Sequence, residues 1–132
     1  MIFKQLFDKK TSTYTYVIAS RDGAEALIID PVLENVNDYI LLLNKLNLQL
    51  VKVIDTHTHA DHITGASKLK DKTNCSTVMG QHTLSDIVEI KVDDQELIKI
   101  EGLSIKAIYT PGHTSDSYSF LMKDRVFSGD TL

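Results

Sequence analysis

The run Leu48-Gln49-Leu50-Val51-Lys52-Val53-Ile54-Asp55-Thr56-His57-Thr58-His59-Ala60-Asp61-His62 decides how this chain is read. Its first seven residues alternate and are rich in aliphatic and β-branched side chains, the mark of a strand. The continuation packs three of the chain's five histidines and one aspartate into the residues from His57 to His62. In a shuffled chain of the same His and Asp content, an H-x-H-x-D-H match arises on the order of once in a thousand. On an extended segment His57 and His59 point to one side, and a turn after them carries Asp61 and His62 back toward the same cavity. Four groups able to bind a metal then converge. Imidazole nitrogen and carboxylate oxygen suit zinc, iron(II) or manganese, and with no thiolate near the cluster the expectation is a catalytic rather than a structural metal site.

Working outward, Thr13 to Ala19 is β-branched and aromatic. After a turn at Arg21-Asp22-Gly23, the run Ala26-Leu27-Ile28-Ile29 is similar and stops at Pro31. These read as paired strands. From Glu34 to Leu46 the apolar residues Val36, Tyr39, Ile40, Leu43 and Leu46 recur at three- and four-residue steps, which predicts an amphipathic helix ended by Asn47 in a left-handed conformation. Strand, helix and strand in that order predict a right-handed crossover and a parallel pair. Function then sits at a strand-to-helix turn, because a second amphipathic stretch begins near Ile63-Thr64-Gly65-Ala66 and runs through Leu69. Beyond it, Ser76 to Met79 reads as a strand, Glu96 to Ile100 and Leu103 to Tyr109 as a hairpin about Glu101-Gly102, and Ser119 to Met122 as the partner of Val126-Phe127. The expected fold class is α/β with a mixed sheet, in one domain over residues 1–132.

Two later segments complete a candidate ligand set. Thr110-Pro111-Gly112-His113-Thr114 follows a strand, and its Pro-Gly turn projects His113 from the sheet edge. Ser128-Gly129-Asp130-Thr131 also follows a strand, with Gly129 permitting close backbone approach before Asp130. Each alone reads as an ordinary turn; in this order after the histidine cluster they read as ligands.

Composition excludes several other functions. The 132 residues carry a formal charge of −4, 42% hydrophobic and 24% charged residues, with the charges interspersed. There is no basic face to condense on nucleic acid or anionic lipid. No segment approaches the roughly 20 apolar residues that span a bilayer, and the N-terminus has no long apolar signal core, so the expectation is a cytoplasmic protein with no membrane partner. Cys75 is the only cysteine and reads as a small semi-buried thiol. His82 reads as a solvated surface residue, and the stripe Val36, Ile40, Leu43 as core.

The order H-x-H-x-D-H, then P-G-H, then G-D resembles the metallo-β-lactamase superfamily of metallohydrolases and related oxidoreductases, over nearly the whole chain. Within it, Phe3-Lys4-Gln5-Leu6-Phe7, Thr13-Tyr14-Thr15-Tyr16, Ile29-Asp30-Pro31-Val32-Leu33-Glu34 and above all His59-Ala60-Asp61-His62-Ile63-Thr64-Gly65-Ala66 resemble the persulfide dioxygenase branch. Related glyoxalase II thioesterases usually carry a bulky aromatic residue where Ala60 stands. The resemblance implies an αββα sandwich in which His57, His113 and Asp130 bind one iron(II), while His59, Asp61 and His62 line the site without firmly holding a second metal. Two histidines and one carboxylate form the facial triad of non-haem iron oxygenases, with positions open for dioxygen and a substrate sulfur. The implied reaction oxidises the terminal sulfur of glutathione persulfide to sulfite and releases glutathione. Asp61 and Asp55 are candidates for holding the imidazole nitrogens not bound to metal.

The chain departs from that family in length. Members have about twice the strand content available here, so the resemblance implies the N-terminal half of the sandwich, without the further histidine of two-metal relatives or the groups that receive glutathione. A half-sandwich is expected to expose the apolar face meant for its partner sheet, so the chain is expected either to be a fragment of a longer protein or to pair with a second copy that covers that face. Two competing functions remain open: a zinc-dependent thioester hydrolase of the glyoxalase II kind, and a catalytically incomplete module that binds metal or associates with a partner.

Overall fold

A computed structural model describes residues 1–57, 65–81, 88–111 and 116–122, with the backbone of 125–127. Strands β1 (Ile2–Asp8), β2 (Thr13–Ala19) and β3 (Glu25–Ile29) lead through a 3-10 turn at Leu33–Asn35 into helix α1 (Val36–Lys45). Then come β4 (Gln49–Ile54), α2 (Ala66–Thr73), β5 (Ser76–Gly80), β6 (Ile90–Val92), β7 (Leu97–Ile100), β8 (Leu103–Tyr109), β9 (Tyr118–Met122) and β10 (Arg125–Phe127). The first six strands form one sheet in sequence order, antiparallel from β1 to β3 and parallel from β3 to β6. The last four form a second, antiparallel sheet in the order β10-β9-β8-β7. The mixed sheet expected from the sequence is the first of these; the periodicity of the strands is indifferent to which sheet they join.

The first sheet is apolar on both faces because it is covered on both. Val17, Ala19, Ala26 and Ile28 pack with Val36, Tyr39, Leu43, Ala66 and Leu69 of the two helices. Ile18, Leu27 and Ile29, one residue out of step, pack instead with Ile98, Ile105, Tyr118 and Phe120 of the second sheet. Each such fully buried side chain contributes about 1.5–3 kcal/mol by leaving water. The bare apolar face expected from a half-sandwich is therefore absent among the described residues: β7 to β9 of the same chain cover it.

Strand β4 breaks its own alternation. Ala26 pairs with Leu50 but Leu27 pairs with Lys52, so one extra residue bulges from β4. Leu50 and Val53 thus both face the helices, and Val51 and Ile54 both face the second sheet. A bulge re-aims the strand that carries it, and here that strand leads into His57.

Other turns follow their chemistry. Asn47 adopts the left-handed conformation (φ 57°) expected after α1, and Gly102 does so (φ 75°) in the β7–β8 hairpin. The two sheets are also tied at one edge by Glu101, whose carboxylate accepts from Arg21 at 2.7 Å and from the Glu25 backbone N–H at 3.2 Å. The Glu25 carboxylate returns the contact, accepting the Glu101 N–H at 2.9 Å.

Candidate functional site

The parallel strands β3 and β4 end side by side, and open α/β sheets bind ligands outside such carboxyl ends. Two backbone bonds extend the pairing past the strands: Asp30 donates to the Ile54 carbonyl at 2.7 Å and Asp55 to the Val78 carbonyl at 3.1 Å. Thr56 and His57 follow, 1% and 3% exposed.

Asp30 turns at this point into the left-handed region, with φ 54°. For an L residue that conformation costs about 1–2 kcal/mol, and aspartate is among the residues that visit it most readily. What the turn achieves is orientation. Both carboxylate oxygens meet Thr56: Oδ1 accepts its backbone N–H and Oδ2 its hydroxyl, each at 2.8 Å. The Thr56 hydroxyl in turn lies 3.0 Å from His57 Nδ1.

The backbone of Asp30 is held with equal care. Thr15 donates its hydroxyl to the Asp30 carbonyl at 2.7 Å. That hydroxyl has one proton, so in its 3.1 Å contact with the Tyr39 hydroxyl Thr15 accepts and Tyr39 donates. Tyr39 meanwhile accepts the Val32 N–H at 3.0 Å. A phenol on helix α1 thus braces both sides of the Asp30-Pro31-Val32 turn. Gly65 donates its N–H to the Pro31 carbonyl at 2.9 Å, which docks the start of α2 on that turn. A β-carbon at Gly65 would lie 2.8 Å from Val36 Cγ2, so only glycine lets the two helices approach this closely.

The second sheet joins the same spot. Tyr118 donates its N–H to the Thr56 carbonyl at 2.8 Å, and Thr110 donates to the Ser117 carbonyl at 3.0 Å. The Thr110 and Ser119 hydroxyls lie 2.8 Å apart. These bonds close the base of the segment that contains His113 and attach it to the residue before His57. Strand β10 pairs Phe127 with Phe120, so it runs toward that same end of β9. The Tyr118 ring packs 5.3 Å from that of Tyr109. Burial pushes the Tyr118 phenol above its ordinary value, and the charges of Asp93 and Asp94 act in the same direction against a hydrogen bond at Gln81. Burial also raises the Tyr16 phenol, and the neighbouring Asp30 charge adds to it.

Of the residues singled out from sequence, His57 and Asp55 stand in the described structure, both buried. His59, Asp61, His62, His113 and Asp130 lie outside the described residues, as does His82. Among the described residues no three metal-binding side chains gather. The His57 Nδ1 lies beside the Thr56 hydroxyl, which is backed by Asp30. Sequence reasoning overlooked that pair, although an aspartate placed between a strand and a proline is a recognisable turn signal.

His57 suits a metal ligand chemically. In a neutral ring whose Nδ1–H faces an acceptor hydroxyl, Nε2 carries the lone pair that a cation requires.

A family model described as the metallo-beta-lactamase superfamily matches residues 9–87. The mitochondrial persulfide dioxygenase ETHE1 of Mus musculus is 32% identical over 135 aligned positions, covering 100% of this chain and 53% of that protein. A hydroxyacylglutathione hydrolase of Rhodopseudomonas palustris is 32% identical over 92% of this chain and 49% of that protein. The crystal structure of ETHE1 from Myxococcus xanthus superposes with a TM-score of 0.91 at 40% identity, covering 96% of this chain and 56% of that one. The chain therefore spans about half the length of the relatives it matches. No helix among the described residues is long and apolar enough to cross a membrane.

Proposed function

Because the chain belongs to the metallo-β-lactamase superfamily, a family of metal-dependent enzymes, we propose that it serves in the oxidation of a small persulfide, glutathione persulfide, by dioxygen. The balanced reaction consumes dioxygen and water and yields glutathione, sulfite and protons. The likeness to the mouse persulfide dioxygenase ETHE1 at 32% identity, and to ETHE1 of Myxococcus xanthus at 40%, supports this reading. One observation in the fold carries it: the segments bearing His57 and His113 are stitched together at the Thr56–Tyr118 hydrogen bond, where two separate loops must meet to share one ion.

In this proposal His57, His113 and Asp130 hold iron(II), with His59, Asp61 and His62 beside them. Iron(II) held by two imidazoles and a carboxylate supplies open positions for dioxygen and sulfur. The chain's own residues provide placement. Asp30 and Thr56 fix the His57 ring, the β4 bulge aims the strand toward it, and the packed sheets behind exclude water from the protein side of the site.

The hydroxyacylglutathione hydrolase likeness supports a second reading, zinc-dependent thioester hydrolysis, in which a zinc held by the same residues would supply water activated for attack. Ala60, in place of an aromatic residue, favours the first. The short span relative to the relatives also leaves room for a metal-binding module that needs further groups for turnover. Metal analysis of anaerobically prepared protein, beside oxygen uptake on glutathione persulfide and hydrolysis of a glutathione thioester, separates all three. Iron with oxygen uptake is expected; stoichiometric zinc with thioester turnover overturns the proposal, and metal without either turnover leaves the module.

A further inference from the structure

We infer that Asp30 acts through Thr56 as the positioning residue that sets the tautomer of His57, placing the ring proton on Nδ1 and leaving Nε2 as the donor atom. The inference rests on the metal-binding reading above and goes beyond it. It follows from counting protons. The Thr56 hydroxyl has one, and it is donated to Asp30 Oδ2 at 2.8 Å. At its 3.0 Å contact with His57 Nδ1 the same oxygen must therefore accept, and Nδ1 must carry hydrogen. The direction cannot reverse while Asp30 is a carboxylate, because both its oxygens only accept. Nor can Thr56 rotate away freely: its N–H is bound to Asp30 Oδ1 and its carbonyl accepts the Tyr118 N–H at 2.8 Å. The left-handed backbone of Asp30 is the conformation that lets one side chain reach both Thr56 donors.

Asp30→Asn is the informative substitution because it is nearly isosteric and inverts one bond. The amide oxygen can still accept the Thr56 N–H, while the amide nitrogen now donates to the Thr56 hydroxyl. Released from the carboxylate, the hydroxyl proton finds its acceptor in His57 Nδ1, a bond that favours the ring proton on Nε2 and blocks the metal-binding lone pair. A wrong-tautomer effect of this kind is known to disable a catalytic histidine.

The test is nitrogen-detected NMR of the imidazoles in metal-free protein at a pH where the ring is neutral, with zinc affinity measured in parallel. Wild-type His57 is expected as the Nδ1–H form, Thr56→Ser should match it, and Asp30→Asn should show the Nε2–H form with zinc bound about 10–100-fold more weakly. An Nε2–H ring in the wild type overturns the inference on its own. So does a folded Asp30→Asn protein with unchanged tautomer and affinity. Should Asp30→Asn not fold, Thr56→Val removes the hydroxyl but keeps the backbone bond, and an unaltered Nδ1–H preference there overturns the inference equally. None of these readings depends on turnover, so failure of oxygen uptake with the expected tautomers would count against the proposed reaction alone.

Discussion

The ring of Tyr118 occupies the space that a side chain at Gly80 would need. A β-carbon built on Gly80 would lie 1.9 Å from Tyr118 Cδ1 and 2.1 Å from Cε1. Tyr118 is fully buried and its backbone is bound to Thr56, so neither the ring nor the strand has room to retreat. Gly80→Ala is expected to destabilise the protein by about 3 kcal/mol, at the upper end of overpacking costs. Urea denaturation checks this; a cost below about 1 kcal/mol would mean that β9 yields more easily than its packing indicates.

Tyr39 is braced against the Asp30 turn by a hydrogen bond it donates and one it accepts. Tyr39→Phe keeps the ring in the core but strands the Val32 N–H, which should cost about 1–3 kcal/mol. Because Thr15 shares the network, the combined Tyr39→Phe, Thr15→Val protein should lose measurably less than the sum of the two single changes. Additivity in a double-mutant cycle would show that the two hydroxyls act separately.

Alkaline pH should weaken the fold. Burial raises the pKa of Tyr118 above the ordinary 10.0 and that of Cys75 above the ordinary 9.0. Both groups are neutral when protonated, so the unfolded chain releases their protons first as pH climbs. Their contribution is full below the ordinary values and is lost above them. Denaturation midpoints are expected to fall from about pH 9 upward, and Tyr118→Phe, which has no phenolic proton, should fall less steeply.

Metal binding should be visible as stability. A cation bound only by the folded state, at a hundredfold excess over its dissociation constant, adds about 2.7 kcal/mol. Thermal melts with zinc, or anaerobically with iron(II), should shift upward and return on chelation. His57→Ala should abolish most of the shift while leaving the metal-free melt within a few degrees. Equal shifts in both proteins would remove His57 from the ligand set.

Much of the architecture was legible before any coordinates. Strand β2 spans Thr13–Ala19 as its β-branched run predicts, and α1 carries the Val36, Tyr39, Leu43 stripe against the sheet. Strand β6 was missed: Ile90–Val92 is three residues long, and Glu89 and Asp93 flank it. Beside its parallel pairing with β5 it is held by side-chain bonds that no periodicity encodes, since Glu89 accepts from Lys70 and from the Thr77 N–H and returns its own N–H to the Thr77 hydroxyl. Around His57 the sequence exposes the proposed ligand but hides its support. Histidines two residues apart announce themselves, whereas Asp30 lies 26 positions upstream of Thr56 and meets it only because β3 and β4 pair in parallel. Tertiary register, not local pattern, brings the two together.

Every polar atom of Thr56 is spoken for: N–H and hydroxyl by Asp30, carbonyl by Tyr118, and the hydroxyl oxygen again by His57. The histidine motif is consequently not a portable cassette. Grafting residues 55–62 onto another scaffold would transfer the proposed ligands without the distant aspartate and tyrosine that hold Thr56. A designer seeking to move this chemistry would need to transplant a three-strand junction, and serine is the one replacement at position 56 that would leave its wiring intact.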